Sequence, residues 1–258
     1  MIKKLFEPFH DIELKQLYIL LFSQIIVICC LLQIFHTEII PAPLSIFSNF
    51  ITIISSGELY DNLFRSFILI IKGMGLAIII SLLLSYLSQL GFFKKLIELT
   101  CSFRYLTLTG LTVIFTLLSK DTDSLRTNLL LFAIIPFFTT SMLDIISKTS
   151  QQDIELCHTL RKSRWWILKE VIIIGKLDQV FEVIRSNFAI CWLLITSVES
   201  LAFGLGGVGT MLVKANKYVD MSQIISLLLV ILIIGIGTDY LLNFIKIKLF
   251  KYSNITTI

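Results

Sequence analysis

The sequence predicts an all-α, polytopic membrane protein, and three observations support this fold class. The 258 residues are 56% hydrophobic, whereas ordinary soluble domains are roughly 45–50% apolar. Mean hydropathy is +0.88, and only 16% of residues are charged. Apolar segments alternate with polar ones, and a helix needs about 20 apolar residues to cross a bilayer. The excess apolar surface is therefore expected to face lipid.

About six transmembrane helices are predicted, and each is taken from one apolar segment. They are residues 16–35, 66–88, 104–119, 128–148, 184–204 and 221–245. The third is the weakest, since it is short and rich in threonine, so we expect it to be short, tilted or buried in the bundle. We expect an N-terminal tail and first span at 1–38, one main domain at 39–251 and a C-terminal tail at 252–258.

The distribution of Lys and Arg predicts the orientation. If the N-terminus is inside, inner segments hold 16 of the 22 basic residues and outer segments hold five, while Lys72 lies within a span. Positive residues concentrate on the cytoplasmic side of membrane proteins, so both termini are expected in the cytoplasm. The net charge of +4 does not indicate a nucleic-acid partner, because no basic stripe with interleaved aromatic residues is present.

An amphipathic helix is predicted between the first two spans, on the outer membrane surface. Pro41 and Pro43 fix a rigid turn before it. Apolar residues then recur at three- and four-residue steps, which is typical of a helix with one apolar face. The serines and glycine at 55–57 are expected to end it.

A polar, basic and helix-compatible segment at 153–170 lies within the long inner loop, about 149–183. Its apolar residues follow the 3.6-residue period. A protein that only crosses the bilayer does not need such a helix, whereas one that is bound by a soluble partner does. The alternative is a solvated basic loop that serves topology alone, and the pattern by itself leaves the two readings about even.

Catalytic and metal-binding patterns are weak. The five cysteines include no C-x-x-C pair, and the three histidines, at 10, 36 and 158, are far apart in sequence. No Gly-x-x-x-x-Gly-Lys-Ser/Thr phosphate loop is present, so ATP hydrolysis is not expected on this chain. A membrane-embedded enzyme is the weaker alternative, because no histidine lies in the middle of a predicted span.

Several short motifs occur in an order that resembles a known family. They are Ile40-Pro41-Ala42-Pro43-Leu44, Pro136, the run from Glu155 to Trp165, Trp192, Glu199 and Gly207-Val208-Gly209. Over about residues 39–250 the chain resembles the membrane permease of bacterial ABC importers, in particular the group serving nitrate, sulfonates, taurine, bicarbonate and thiamine-precursor-like solutes. It departs from the family where Arg161 replaces a loop glycine, where a proline is missing near Ile173, and where Leu69 replaces an arginine.

The resemblance implies that the inner loop forms a coupling helix that docks on a separate ATPase. The implied coupling residues are Glu155, Leu156, Cys157, His158, Thr159, Leu160, Arg161, Lys162, Ser163 and Arg164. Leu156, Cys157 and Leu160 are expected to seat against the ATPase, while the basic residues supply charge complementarity. The resemblance also implies a second permease copy, identical or not, an extracytoplasmic solute-binding protein, no cofactor on this chain, and a place in the bacterial inner membrane.

Five further residues are candidates for the solute pathway or its gate, namely Lys72, Glu199, Gly207, Gly209 and Asp239. A charge in the middle of a span is costly, on the order of 2.5–3.5 kcal/mol on insertion scales. For Lys72, snorkelling to the membrane surface is at least as well supported as a pathway role. Glu199 is expected to have a structural or gating role, and the glycines a tight turn or a gate. A scaffold that anchors an ATPase without transporting a solute remains an alternative function.

Overall fold

The computed structural model describes residues 14–34 and 41–250, and these ranges contain helices and turns but no strand. Residues 1–13, 35–40 and 251–258 lie outside the described residues, and with them the predicted tail at 252–258. The helices are α1 Leu14–Ile34, α2 Pro43–Ser55, α3 Glu58–Leu87, α4 Gly91–Ser102, α5 Leu108–Leu118, α6 Thr122–Ser147, α7 Gln151–Thr159, α8 Arg164–Ile167, α9 Leu177–Leu201, α10 Val208–Lys217 and α11 Met221–Leu249.

Four helical stretches are long and apolar enough to cross a membrane. They are Glu58–Leu87, Thr122–Ser147, Arg164–Leu201 and Met221–Leu249. A fifth crossing exists if the pair Gly91–Tyr105 and Leu108–Leu118, which is bent by 110°, forms one span. The all-α polytopic class is therefore confirmed, with four or five spans among the described residues where six are predicted. Helix α1 covers the first predicted span but is not among these five.

The third predicted span, 104–119, is not one continuous helix. A 3-10 turn at Phe103–Tyr105 leads to extended backbone at Leu106 and Thr107, and α5 then has only 11 residues. At 1.5 Å per residue α5 is about 16 Å long, roughly half the hydrocarbon thickness. No residue of α5 is fully buried, although Leu108, Leu111 and Phe115 are partly buried against the core. The expectation of a short helix is confirmed.

Polar contacts define the two ends of the bundle. Ser66 near the start of α3 bonds Glu199 near the end of α9, and Arg126 in the first turns of α6 bonds Ala202 just beyond α9. At the opposite end, Lys246 of α11 bonds Glu182 of α9. Helices α3, α6 and α11 therefore run in one direction and α9 returns. We call the first end the glycine-loop end, after residues 202–207, and the other the α7 end.

The core lies where α3, α6 and α9 meet. Ile70, Leu130 and Ile195 are buried in one cluster with Trp192, whose indole Nε1 donates to the carbonyl of Ile231 on α11 at 3.1 Å. Gly73 permits the close approach of α3 to α6, because a Cβ there would meet Leu130 Cδ2 at 2.5 Å. Such small-residue contacts are typical of helix packing in membranes.

The amphipathic helix predicted before the second span is confirmed as α2, which ends at Ser55 with Gly57 in the left-handed conformation. By contrast, the inner loop is shorter than 149–183, because the helical stretch Arg164–Leu201 begins far ahead of the predicted residue 184. That stretch is irregular: a π-helical turn occupies Leu168–Ile173 and a 3-10 turn follows at Ile174–Lys176.

Candidate functional site

The segment predicted to couple to an ATPase forms a helix–turn–helix at the α7 end. Instead of one helix over 153–170, α7 stops at Thr159 and α8 starts at Arg164. The stop is a Schellman cap: Lys162 N–H donates to Cys157 O at 3.1 Å, and Arg161 N–H donates to His158 O at 2.9 Å. Arg161 has a φ of 50°, the left-handed conformation that favours glycine. Arg161 therefore adopts, without being a glycine, the conformation in which a helix most often ends on glycine.

The next helix begins at a serine cap. Ser163 has an extended backbone, and its Oγ accepts a hydrogen bond from Trp166 N–H at 3.2 Å. Serine is a favoured residue at this position because it satisfies one of the free N–H groups of a helix start. The cap and the left-handed Arg161 together set the angle between α7 and α8.

The turn presents an apolar and basic surface. Leu156, Leu160 and Trp165 are exposed, and Lys162 Nζ lies 5.0 Å from the centre of the Trp166 ring. The remaining polar side chains of the predicted coupling set are exposed as well, namely Glu155, His158, Thr159, Arg161, Lys162, Ser163 and Arg164. Cys157 differs, because it is buried within the chain and presents no surface to a partner.

The second site is the glycine loop, where backbone N–H groups point at side chains of neighbouring helices. Gly207 N–H donates to Asn62 Oδ1 at 2.7 Å, and Val208 N–H donates to Ser66 Oγ at 3.0 Å. Gly209 N–H donates to Glu199 Oε2 at 2.8 Å, while Ser66 Oγ donates to Glu199 Oε1 at 2.6 Å. Both carboxylate oxygens of Glu199 are therefore occupied by groups of the chain itself.

Two arginines donate hydrogen bonds to backbone carbonyl oxygens of the same loop. Arg126 is only 3% exposed, and it donates from Nε to Ala202 O at 2.8 Å and from Nη1 to Gly206 O at 2.9 Å. Arg65 donates from Nη1 to Leu205 O at 3.2 Å. The loop is thus fastened to α3, α6 and α9 together, which makes it a junction between three spanning helices.

The glycines of the loop are required by space as well as by conformation. Gly206 and Gly207 have φ values of 81° and 110°, and a Cβ on Gly207 would collide with the Glu199 carboxylate. A Cβ on Gly209 would collide with the carbonyl oxygen of Thr196. Glu199, Gly207 and Gly209, which the sequence singles out, are therefore in direct contact.

Lys72 and Asp239 lie apart from this junction. Lys72 is exposed on α3, with its Nζ 3.6 Å from the Asp123 carboxylate at the start of α6. Asp239 lies towards the α7 end, where both of its carboxylate oxygens accept from Arg185, at 2.7 and 2.8 Å. Arg185 also donates to Asn243 Oδ1 at 3.1 Å, so this cluster fastens α9 to α11.

Sequence reasoning missed most of the residues that hold the loop. Asn62, Arg65 and Arg126 were assigned to the segments outside the spans, because the predicted spans begin at 66 and 128. For the two arginines the available signal was a charge two or three positions ahead of a strongly apolar run, whereas uncharged Asn62 gave no such signal. Within the described ranges, no group of three or more His, Cys, Asp or Glu is placed to hold a metal ion.

The fold and these contacts define an α-helical, polytopic membrane protein whose spanning helices meet at a buried polar junction on one side and carry an exposed helix–turn–helix on the other. No family model matches the chain. The chain is 22% identical over 230 residues to the putative aliphatic sulfonates transport permease protein of Bacillus subtilis strain 168, a match that covers 86% of this chain and 81% of that relative. The chain therefore resembles the transmembrane permeases of ABC importers.

Proposed function

We propose that the chain is the membrane permease subunit of an ATP-driven importer and that it couples to a separate ATPase through the α7–α8 turn. The observation that carries this proposal is the match to a transport permease over 86% of the chain, which includes the turn. The chain acts as a transport subunit rather than an enzyme, and ATP is bound and hydrolysed by the partner.

The docking surface consists of the exposed apolar residues Leu156, Leu160 and Trp165, framed by basic side chains. Apolar residues at the centre of an interface supply binding energy, and surrounding charges set register and partner choice. Cys157 supports the surface from inside the chain instead of touching the ATPase.

The stretch Arg164–Leu201 links the two sites, because it starts at the turn and ends at the glycine loop. When the ATPase subunits close on ATP, they move this turn, and the displacement passes along the stretch and through α9 to the opposite end. Two such chains, identical or not, then rock between inward-open and outward-open states around a pathway between them. The junction at Glu199 keeps the glycine loop moving with α3, α6 and α9.

The proposed solute is a small anionic or polar compound that an extracytoplasmic binding protein delivers. The relative is named for aliphatic sulfonates, which are anions. Glu199 is not a solute ligand in this scheme, because both of its carboxylate oxygens are already bonded within the chain. Exposed Lys72 has the appropriate charge for a transient contact with an anion.

The test is co-purification of the tagged chain from native membranes in mild detergent, with mass spectrometry of the bound subunits. The variant reverses two charges of the turn, Arg161→Glu with Arg164→Glu. The matched control reverses two exposed lysines at the other end, Lys214→Glu with Lys217→Glu. We expect an ATPase to accompany the wild type and the control, and its recovery with the turn variant to fall at least about tenfold, since like charges across an interface cost several kcal/mol.

Equal recovery of the ATPase with the turn variant would place the docking surface elsewhere. Recovery of the intact wild type without any ATPase would contradict the importer assignment. A bound ATPase without solute uptake in reconstituted vesicles would favour the alternative of a non-transporting scaffold. A second, different permease in the complex would identify a heterodimer.

A further inference from the structure

Helix α4 carries an apolar stripe that no other described part of the chain covers. Phe92, Leu96 and Leu99 are 88%, 58% and 57% exposed. Their spacing of four and three residues places them on one side of the helix. Large apolar side chains aligned in this way indicate a surface that is covered by something other than water.

The opposite side of α4 is fixed to the bundle. Ile97 is buried to 1% exposure, and α4 packs against α6. Just beyond α4, the Phe103 ring stacks on Phe132 of α6 with centroids 5.8 Å apart. Because α4 is held at both of these points, the stripe is turned away from the chain.

Two lysines lie on the polar side of α4. At about 3.6 residues per turn, Lys95 flanks the stripe, and Lys94 lies on the side of the helix away from it. Both are exposed, and neither forms an ion pair with any residue in the ranges 14–34 and 41–250. Further along, Arg104 lies over the ring of Tyr105, at 5.0 Å from its centre, and Tyr105 is itself exposed. Lysine, arginine and tyrosine beside an apolar face are typical of the boundary between lipid and water.

The position of α4 along the bundle agrees with this boundary. It follows the end of α3 directly, so it lies at the α7 end, where a spanning helix leaves the membrane. Its direction changes by 110° into α5. If α5 is tilted by about 20° from the membrane normal, which is the average for spanning helices, α4 lies within about 40° of the membrane plane.

We propose that α4 is an in-plane helix whose stripe, Phe92, Leu96 and Leu99, enters the acyl region of the leaflet at the α7 end, and that Lys94 and Lys95 bind the headgroups of anionic phospholipids there. The apolar side chains hold the helix at the depth of the acyl region, and the lysines select lipids with negative headgroups. The inference depends on membrane insertion and not on transport, so it stands or falls separately from the importer assignment.

Lipid retention by the purified full chain tests the role of the lysines. After exchange into mixed detergent micelles of phosphatidylglycerol and phosphatidylcholine, bound lipid is counted by native mass spectrometry. We expect preferential retention of phosphatidylglycerol, with a loss of roughly fivefold for each lysine removed in Lys94→Gln with Lys95→Gln. The control, Lys214→Gln with Lys217→Gln, removes two exposed lysines from α10 and leaves both lysines of α4 in place, so it should retain the lipid. Equal retention by the α4 variant, or equal loss in the control, would overturn the proposal.

Depth measurements test the stripe and identify its occupant. Single cysteines replace Phe92, Leu96, Leu99 or Glu98 in a chain whose native cysteines are alanine, and each is spin-labelled in vesicles of phosphatidylethanolamine and phosphatidylglycerol. We expect positions 92, 96 and 99 to be accessible to oxygen and position 98 to an aqueous nickel complex. Stripe positions shielded from both reagents would indicate a second copy of the chain. Stripe positions open to nickel would indicate a surface for a soluble partner, and either result would contradict the lipid assignment.

Discussion

At the residue scale, the buried carboxylate of Glu199 depends on the groups that surround it. Glu199 is 1% exposed, and its two oxygens accept from Ser66 Oγ and Gly209 N–H. Glu199→Gln replaces one acceptor oxygen with an NH₂ group, which leaves one of the two donors without an acceptor. A buried donor without a partner costs about 1–3 kcal/mol. We therefore expect a lower midpoint of thermal unfolding in mild detergent, followed by tryptophan fluorescence.

The control for this prediction is Glu98→Gln, which makes the same chemical change on an exposed side chain of α4. Surface changes of this kind are usually within about 0.5 kcal/mol. If the two variants unfolded at the same temperature, the hydrogen bonds of Glu199 would contribute nothing measurable to stability.

Two glycines of the loop allow the cost of a strained backbone to be measured separately from the cost of steric overlap. Gly204 and Gly207 both have positive φ, at 140° and 110°, but only Gly207 faces an obstacle, the carboxylate of Glu199. Gly204→Ala should cost about 1–2 kcal/mol for the backbone alone. Gly207→Ala should cost a further 1–3 kcal/mol or so, because the added methyl group overpacks a filled site. Equal unfolding midpoints for the two variants would show that the loop moves aside freely.

At the element scale, the end of α7 carries strain that a glycine at position 161 would relieve. Arg161 adopts a φ of 50° in the Schellman cap, which costs an ordinary residue roughly 1–2 kcal/mol. Arg161→Gly removes this cost but adds backbone entropy to the unfolded chain. We expect a net stabilisation of about 0.5–1 kcal/mol, seen as slower hydrogen exchange of the α7 amides.

Lys162→Gly is the matched control, because it removes the same charge at the next position, where φ is not positive. It should speed the exchange of the α7 amides. Faster exchange in both variants would contradict the prediction. It would mean that the Arg161 side chain stabilises the turn by more than its left-handed conformation costs.

Elements governed by local sequence were predicted well. The prolines at 41 and 43 and the glycine at 57 bracket α2, and continuous apolar runs mark α3 and α11, although α3 begins at Glu58, ahead of the predicted 66. Two further features, which the sequence predicts wrongly, depend on tertiary contacts. Helix α6 begins at Thr122, ahead of the predicted 128, because buried Arg126 finds its acceptors in the glycine loop. Helix α7 stops early because Arg161, which gives no turn signal, takes the left-handed conformation.

In the glycine-loop junction, too, the residues that are close in sequence could be predicted, and those brought in by tertiary packing could not. Glu199, Gly207 and Gly209 were singled out because they are close in sequence and match a family pattern. Asn62 and Ser66, which complete the junction, are more than 130 residues away along the chain. Only the packing of α3 against α9 brings them together, and no periodicity within either helix encodes that contact.

At the scale of the whole molecule, the two sites lie at opposite ends of the bundle, so their sidedness can be tested without knowing the solute. Exposed Leu160 lies in the α7–α8 turn, and exposed Tyr218 follows α10 at the glycine-loop end. The excess of Lys and Arg predicts that the α7 end is cytoplasmic. An inverted chain would present the turn to the wrong compartment for an ATPase.

Single cysteines at these two positions, Leu160→Cys and Tyr218→Cys, test the orientation in a chain whose native cysteines are alanine. We expect a membrane-impermeant maleimide to label position 218 on intact cells and position 160 only after permeabilisation. Labelling of both positions after permeabilisation controls for reactivity, since both side chains are exposed. The reverse pattern would invert the predicted topology and remove the ATPase from reach of the turn. Labelling of both positions on intact cells would mean that the ends do not lie on opposite sides of the membrane.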